Sequence, residues 1–331
     1  MAKIVLGMGT SHGPMLSTPP EEWGQRAIFD RQTKHHYKGR IWSFDELVEA
    51  RKERHFDREI TLELWRNRHA ACRRALSALA ATFDEVRPDI VVILGNDHME
   101  MFDPSVVPAF SVFWGDAIVN NPYSEEHMAR LMPGQAIALP GHIPPGGARY
   151  PCVPALGKHL IEAAIDEGFD VAAMRHLPNE ETPHAYGFVY RQIMGDRPLP
   201  CVPVSVNTYY PPNQPAIQRC YAFGKALLRA IESWNSEARV ALIASGGLSH
   251  FVIDEDVDAA FLDTLRERDM AKLAAFDEAI FQSGTSELKN WIPVAGAMAE
   301  LGWKPHIVDY VPCYRSPAGT GNAMGFVSWR P

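Results

Sequence analysis

Val91-Val92-Ile93-Leu94-Gly95-Asn96-Asp97-His98 reads as a short buried strand, then a turn, then a histidine. Four consecutive apolar residues suit a strand in a sheet core, and Gly-Asn-Asp is turn chemistry. The histidine is thereby delivered at the carboxyl end of a core strand, the edge where open α/β sheets gather their ligands. The N-terminus repeats the arrangement: Ile4-Val5-Leu6-Gly7-Met8-Gly9 is a strand, and Thr10-Ser11-His12-Gly13-Pro14 is the tight turn after it. One strand-end histidine is ordinarily a packed or surface residue. Two at matching positions point as readily to a metal site that still lacks a carboxylate.

Outward from these strands the chain alternates. Between them lies an insertion of about 14–57, polar and irregular, in which Ser43-Phe44-Asp45-Glu46 has the spacing of a capping box and predicts a helix start. Asp57 to Phe83 has helical periodicity that Pro88 ends, so the two strands form a β-α-β unit with a large insertion in its crossover. The stretch Phe102 to Arg149 reads as loops with short strands. Helices are predicted over 155–167, 216–234, 259–276 and about 291–301, and strands over 170–174, 200–206, 240–244, 307–311 and 323–329. No linker divides the chain. The expectation is one α/β domain, a central mixed sheet flanked by helices on both faces, with a helical insertion after the first strand.

Composition limits the functions available. The 331 residues carry a formal net charge of −8, 46% hydrophobic and 22% charged residues, as in an ordinary globular protein. The negative balance argues against nucleic acid or an anionic membrane as the main partner. An anionic substrate would gain nothing from the overall field and would need a local cationic or amide-lined pocket. No apolar run approaches the roughly twenty residues that cross a bilayer, and the N-terminus enters a strand directly, without a leader pattern. Five scattered cysteines, none in a C-x-x-C pair, argue against a disulfide framework and for a cytoplasmic location.

A third histidine, His250, follows the strand Val240 to Ala244 behind Ser245-Gly246-Gly247-Leu248-Ser249. Two glycines permit a sharp turn and close backbone approach to a ligand. The residue is either an exposed turn histidine or a general base, since neutral imidazole is well poised to take a phenolic proton. Glu287, in Ser286-Glu287-Leu288-Lys289-Asn290-Trp291, falls just before or within the first turn of a helix; on its own it reads as helix-terminus electrostatics.

Thr10-Ser11-His12-Gly13-Pro14, Gly95-Asn96-Asp97-His98, Ser245-Gly246-Gly247-Leu248-Ser249-His250 and Ser286-Glu287-Leu288 through Trp291 occur in that order. Together they resemble the class III extradiol ring-cleaving dioxygenases, the superfamily of the protocatechuate 4,5-dioxygenase β subunit. The resemblance spans nearly the whole chain. It implies that His12, His98 and Glu287 ligate Fe(II) and that His250 is the acid/base residue. His184, in Pro183-His184-Ala185-Tyr186-Gly187, resembles the family's second active-site histidine, although proline precedes it where aspartate is expected.

Two histidines and a carboxylate on one face of a metal leave open positions, the arrangement of non-haem Fe(II) oxygenases. The expected partners are a small aromatic vicinal diol and O₂. Family members acting on gallate, 3-O-methylgallate or protocatechuate must hold a carboxylate, for which Arg315, Thr320 and Asn322 are candidates, with Asn207 at the end of a core strand. A Gly-rich connection before the last strand accounts equally well for 314–322. The insertion could form a lid or a dimer surface in place of a separate small subunit, which favours a homodimeric enzyme of the gallate or methylgallate kind. Two readings of other classes stand beside it: a zinc-dependent hydrolase and a non-enzymatic metal-binding protein on the same fold.

Overall fold

The computed structural model describes residues 1–331 apart from 132–133, 178–180 and 198. β1 (Lys3–Thr10) leads into the insertion, which carries α1 (Trp23–Asp30), a hairpin of β2 (His35–Tyr37) and β3 (Arg40–Trp42), and α2 (Phe44–Ala50). The long helix α3 (Leu62–Val86) returns the chain to β4 (Ile90–Gly95). Next come β5 (Phe110–Phe113) and a small ribbon of β6 (Ala117–Asn120) and β7 (Ala148–Pro151), with α4 (Glu125–Arg130) and α5 (Gln135–Ala138) between them. The chain continues through α6 (Pro154–Asp166), β8 (Ala172–Met174), α7 (His184–Phe188), β9 (Cys201–Val206) and α8 (Ile217–Ser233). It then forms β10 (Arg239–Ser245), β11 (His250–Val252), α9 (Glu255–Glu267) and α10 (Leu288–Glu300), and closes with β12 (Pro305–Tyr314) and β13 (Thr320–Trp329).

β1, β10, β4 and β9 lie side by side and parallel. β5 runs antiparallel to β9, and β8 parallel to β5. On the other side β13 shares one edge between β1 and β11 and gives its other edge to β12, all antiparallel. This placement explains the apolar run Val91 to Leu94. Val91 and Ile93 point into one core with Leu6, Met8, Leu76 and Leu79, whereas Val92 and Leu94 point into the opposite core with Val204, Leu242, Phe223 and Trp291. A parallel strand covered by helices on both faces has no polar side to show. The expected mixed sheet between two helical layers is therefore what the chain forms.

Details differ from the sequence reading. β1 and β4 are not neighbours, because β10 is inserted between them. α9 starts earlier than periodicity suggested, at Glu255, since the Asp254 side chain accepts the Val257 N–H and caps it. The closing strands are longer, for they pair with each other along nearly their whole length. Ser43 and Glu46 do form the reciprocal capping box, starting α2 at Phe44. Among the described residues no helix is long and apolar enough to cross a membrane, and all five cysteines are free thiols.

Candidate metal and catalytic site

Because β10 sits between β1 and β4, the loops leaving these three parallel strands are adjacent at one edge of the sheet. That adjacency brings His12, His98 and His250 together. Glu287 joins them from the N-cap of α10, with only 1% of its surface exposed. Its Oε2 lies 3.2 Å from His12 Nε2, and its Oε1 lies 2.9 Å from His98 Nε2 and 3.3 Å from His250 Nε2. Gly247 N–H donates to Oε2 at 3.0 Å, and Asn96 Nδ2 donates to Oε1 at 3.2 Å. Asn290 Nδ2, one turn along α10, donates to Asn96 Oδ1 at 2.8 Å and fixes which way that amide faces.

The protonation of His12 follows from its partner. Ser245 has one hydroxyl hydrogen, and it goes to Ala185 O at 2.7 Å. The 3.0 Å contact between Ser245 Oγ and His12 Nδ1 must then have the ring N–H as donor. Burial holds the His12 pKa down at about 4 against the pull of Glu287. The ring is neutral, and its Nε2 carries a lone pair that faces a carboxylate oxygen. Burial disfavours the charged form of Glu287, yet the His250 and His12 imidazoles and their hydrogen bonds together outweigh that and keep its pKa well below the usual range. A lone pair set against an ionised carboxylate with no proton between them is relieved by a cation. The donor set thus fits a divalent metal bound by imidazole and carboxylate. Among the described residues no trio is already spread to metal-ligand spacing; the same atoms now meet at hydrogen-bond range.

The double glycine serves the carboxylate. Gly246 has φ +140°, and a Cβ there would stand 2.6 Å from Asn290 Nδ2 and 3.1 Å from Glu287 Oε2. Only glycine lets the backbone pass so close and present the Gly247 N–H. His250 lies beyond this turn, 7% exposed. Its Nδ1 donates to Leu248 O at 2.8 Å, since a carbonyl can only accept, so Nε2 is the atom offered to the site. Burial lowers its pKa, but Glu287 and the Leu248 carbonyl outweigh burial and leave it raised.

His184, the first residue of α7, packs edge-on against both candidate ligands, its ring centroid 4.6 Å from His12 and 5.1 Å from His98. The proline before it leaves no adjacent carboxylate, and the structure supplies one from elsewhere. Glu100 accepts from His184 Nδ1 at 2.8 Å and from the His184 backbone N–H at 3.0 Å. Burial opposes both charges, but the pairing wins: His184 is raised to about 9 and Glu100 lowered to about 2. Asp97 holds Glu100 in place, its Oδ1 capping the Glu100 and Met101 N–H groups at 2.9 and 2.8 Å. Sequence reasoning missed Glu100, although its position two residues past His98 in an Asp-initiated turn was a usable signal. We expect Glu100→Gln to leave the fold intact and to lower turnover about ten- to a hundredfold, the size of losing a hydrogen bond to a charged group, because His184 loses the carboxylate that orients its ring. Unchanged steady-state kinetics in that variant would make the pair merely structural.

The candidate site opens into a cavity of about 840 Å³. Of the four residues suggested for the substrate, Asn322 lines it, opposite His250 in the β11–β13 pairing. The structure does not bring the other three to the cavity wall. Arg315 is 3% exposed and forks onto Asp30, with Nε and Nη2 each 2.7 Å from its carboxylate oxygens. Thr320 donates to the same carboxylate. Asn207 closes its own loop, Nδ2 donating to Tyr210 O at 2.7 Å and Oδ1 accepting the Tyr210 N–H at 2.9 Å. His127 and His142, which follow no core strand in the sequence, also line the cavity. Tyr209 packs its ring 4.7 Å from that of His98.

The sequence profile of a family described as the catalytic LigB subunit of aromatic ring-opening dioxygenase matches residues 63–323. That span contains His98, His184, His250 and Glu287 and leaves His12 outside it. The chain is similar to a gallate dioxygenase of Pseudomonas putida, 28% identical over 187 residues that cover 52% of each chain. It is also similar to a 2,3-dihydroxyphenylpropionate/2,3-dihydroxicinnamic acid 1,2-dioxygenase of Comamonas testosteroni, 26% identical over 54% of this chain and 49% of the relative. A protein of the same description from a Mycobacterium species is 26% identical over 76% of this chain and 79% of its own. The chain spans about half the length of the first two relatives.

Proposed function

From the premise that this chain belongs to the LigB family of aromatic ring-opening dioxygenases, we propose that it is a ferrous-iron extradiol dioxygenase acting on a carboxylated vicinal diol. The observation that carries the reading is the neutral His12 Nε2 facing the ionised Glu287 carboxylate, with a second imidazole, His98, on the other oxygen. His12, His98 and Glu287 would hold the metal. When bound, ferrous iron supplies open positions for two adjacent substrate oxygens and O₂, and a path for electron density between ring and oxygen.

The remaining steps belong to the chain. His250 Nε2 takes a hydroxyl proton as the diol binds and returns it as the ring opens, while Leu248 O fixes the ring's orientation through Nδ1. A histidine tuned upward from its ordinary value can do both near neutral pH. His184, with Nδ1 committed to Glu100, has its other ring nitrogen as donor to a substrate hydroxyl or to the incoming oxygen. The ring bond beside the diol breaks: the hydroxylated carbon keeps its own oxygen and gains one atom of O₂ to become a carboxylate. Its former ring neighbour gains the other atom as a carbonyl oxygen, giving a carboxyl where that neighbour bears a hydroxyl as in gallate. Gallate and 3-O-methylgallate stand ahead of protocatechuate as substrates. The named substrates of the relatives, gallate and dihydroxyphenylpropionate, are themselves acids. The insertion contributes Pro14, Ser17 and Arg26 to the cavity wall, which supports its role as a lid. A homodimer in the cytoplasm completes the proposal.

Oxygen uptake by iron-reconstituted protein tests it. Gallate, 3-O-methylgallate, protocatechuate and catechol are offered aerobically and anaerobically, with product followed by its absorbance. Equimolar O₂ consumption and ring-opened product from at least one acid are expected. Substrate loss that proceeds without O₂ would replace the dioxygenase with a hydrolase, and faster turnover of catechol than of all three acids would remove the carboxylate from the substrate class.

A further inference from the structure

Among the described residues, the charged side chains around the cavity pair off, with one exception. Glu100 is held by His184, Glu181 by His127, Glu126 by Arg130, and Glu287 by the three histidines. Arg26, on α1 of the insertion, lines the same cavity and makes no hydrogen bond or ion pair among the described residues. Its near neighbour along the helix, Asp30, is already taken by the Arg315 fork and by Thr320. Arg26, Asp30 and Arg315 therefore form a cluster with one positive charge in excess. Burial disfavours the Arg26 charge, with Arg315 adding to that and Asp30 opposing it.

The side chain is nonetheless given room to stand there. Gly134, with φ +78°, precedes α5 across the cavity wall, and a Cβ on it would meet Arg26 Cδ at 3.1 Å. A half-buried guanidinium without a counter-charge is costly, and the chain keeps it facing an open cavity. Its planar fork matches a carboxylate with two parallel hydrogen bonds. In a protein of net charge −8 such a local cation is also what an anionic substrate would require.

We propose that Arg26 binds the carboxylate of the aromatic substrate and makes the insertion the specificity element of the site. This rests on the ring-cleavage reading only for the identity of the ligand. Arg315, the arginine that the sequence offered as a candidate for this carboxylate, instead anchors the Asp30 end of α1 and so positions the helix that carries Arg26.

Gallate and pyrogallol form a matched pair, the same trihydroxylated ring with and without the carboxylate. Calorimetric titration of each into iron-loaded protein under anaerobic conditions measures binding without turnover. Wild-type protein is expected to bind gallate more tightly than pyrogallol. Arg26→Gln should weaken gallate on the order of ten- to a hundredfold, as loss of a charge-assisted hydrogen bond does, and leave pyrogallol unchanged. Arg26→Lys should restore part of the gallate affinity, because it keeps the charge and loses the fork. Equal weakening of both ligands, or no change in either, overturns the assignment. Arg26-dependent gallate binding without any O₂ consumption upholds the anchor and ends the ring-cleavage reading. Cleavage of gallate and pyrogallol at equal efficiency in wild type and Arg26→Gln does the reverse.

Discussion

Glu287→Ala is expected to remove bound iron and ring-cleaving turnover together. The carboxylate is where the two histidines proposed as ligands meet, since His12 faces one oxygen and His98 the other. It is also the negative charge that makes a cation favourable there. Its loss should cost far more than the ten- to hundredfold typical of an outer-shell partner. The substitution also strips the Gly247 N–H and Asn96 Nδ2 of their acceptor in a buried site, a penalty of about 1–3 kcal/mol each. Glu287→Gln separates the two effects, because an amide oxygen can still accept a hydrogen bond while the charge is gone. Iron content after reconstitution, measured beside a thermal melt, reads both. An iron-replete Glu287→Gln protein with ordinary turnover would end the assignment of Glu287 as a ligand.

What the sequence made legible follows from which interactions are local. Two-faced burial is written into Val91 to Leu94, because each strand residue faces one core or the other, so the strand and its terminal histidine could be read directly. The insertion of β10 between β1 and β4 could not, because strand order depends on pairing between segments 236 and 150 residues apart, Lys3 with Arg239 and Ile90 with Val240. The capping box at Ser43 was legible for the opposite reason: donor and acceptor lie within one turn. At the site, His12, His98 and His250 carried a strand-end signal of their own, whereas Glu287 looked like an ordinary helix terminus until motif order singled it out. Arg315 shows how composition misleads: a cation in a Gly-rich segment looked available, but Asp30, 285 positions away, takes both arms of its fork. Arg26 and Glu100 escaped notice because their meaning depends on what stands across the cavity rather than on their neighbours in the chain.

His250→Gln should keep iron and still bind substrate, yet lose turnover. His250 approaches Glu287 Oε1 at 3.3 Å, a longer contact than the 2.9 Å of His98. Its ring is fixed from behind by Leu248 O, so Nε2 is aimed into the site without being required to hold a metal. Gly284 reinforces that aim: a Cβ at Gly284 would collide with His250 Cδ2 at 2.3 Å, so the imidazole lies flush against the segment leading to Glu287. Glutamine fills similar space and can donate a hydrogen bond to the carboxylate, but it cannot exchange a proton near neutral pH. Positioned acid–base catalysis contributes on the order of a hundred- to ten-thousandfold, and a fall in kcat of that size is expected. Iron content should match wild type, and anaerobic gallate titration should show the affinity essentially unchanged. An iron-free variant would make His250 a ligand, and an iron-replete one with near-normal kcat would make it a bystander. Loss of turnover with iron and binding intact leaves proton transfer as the step that the residue supplies.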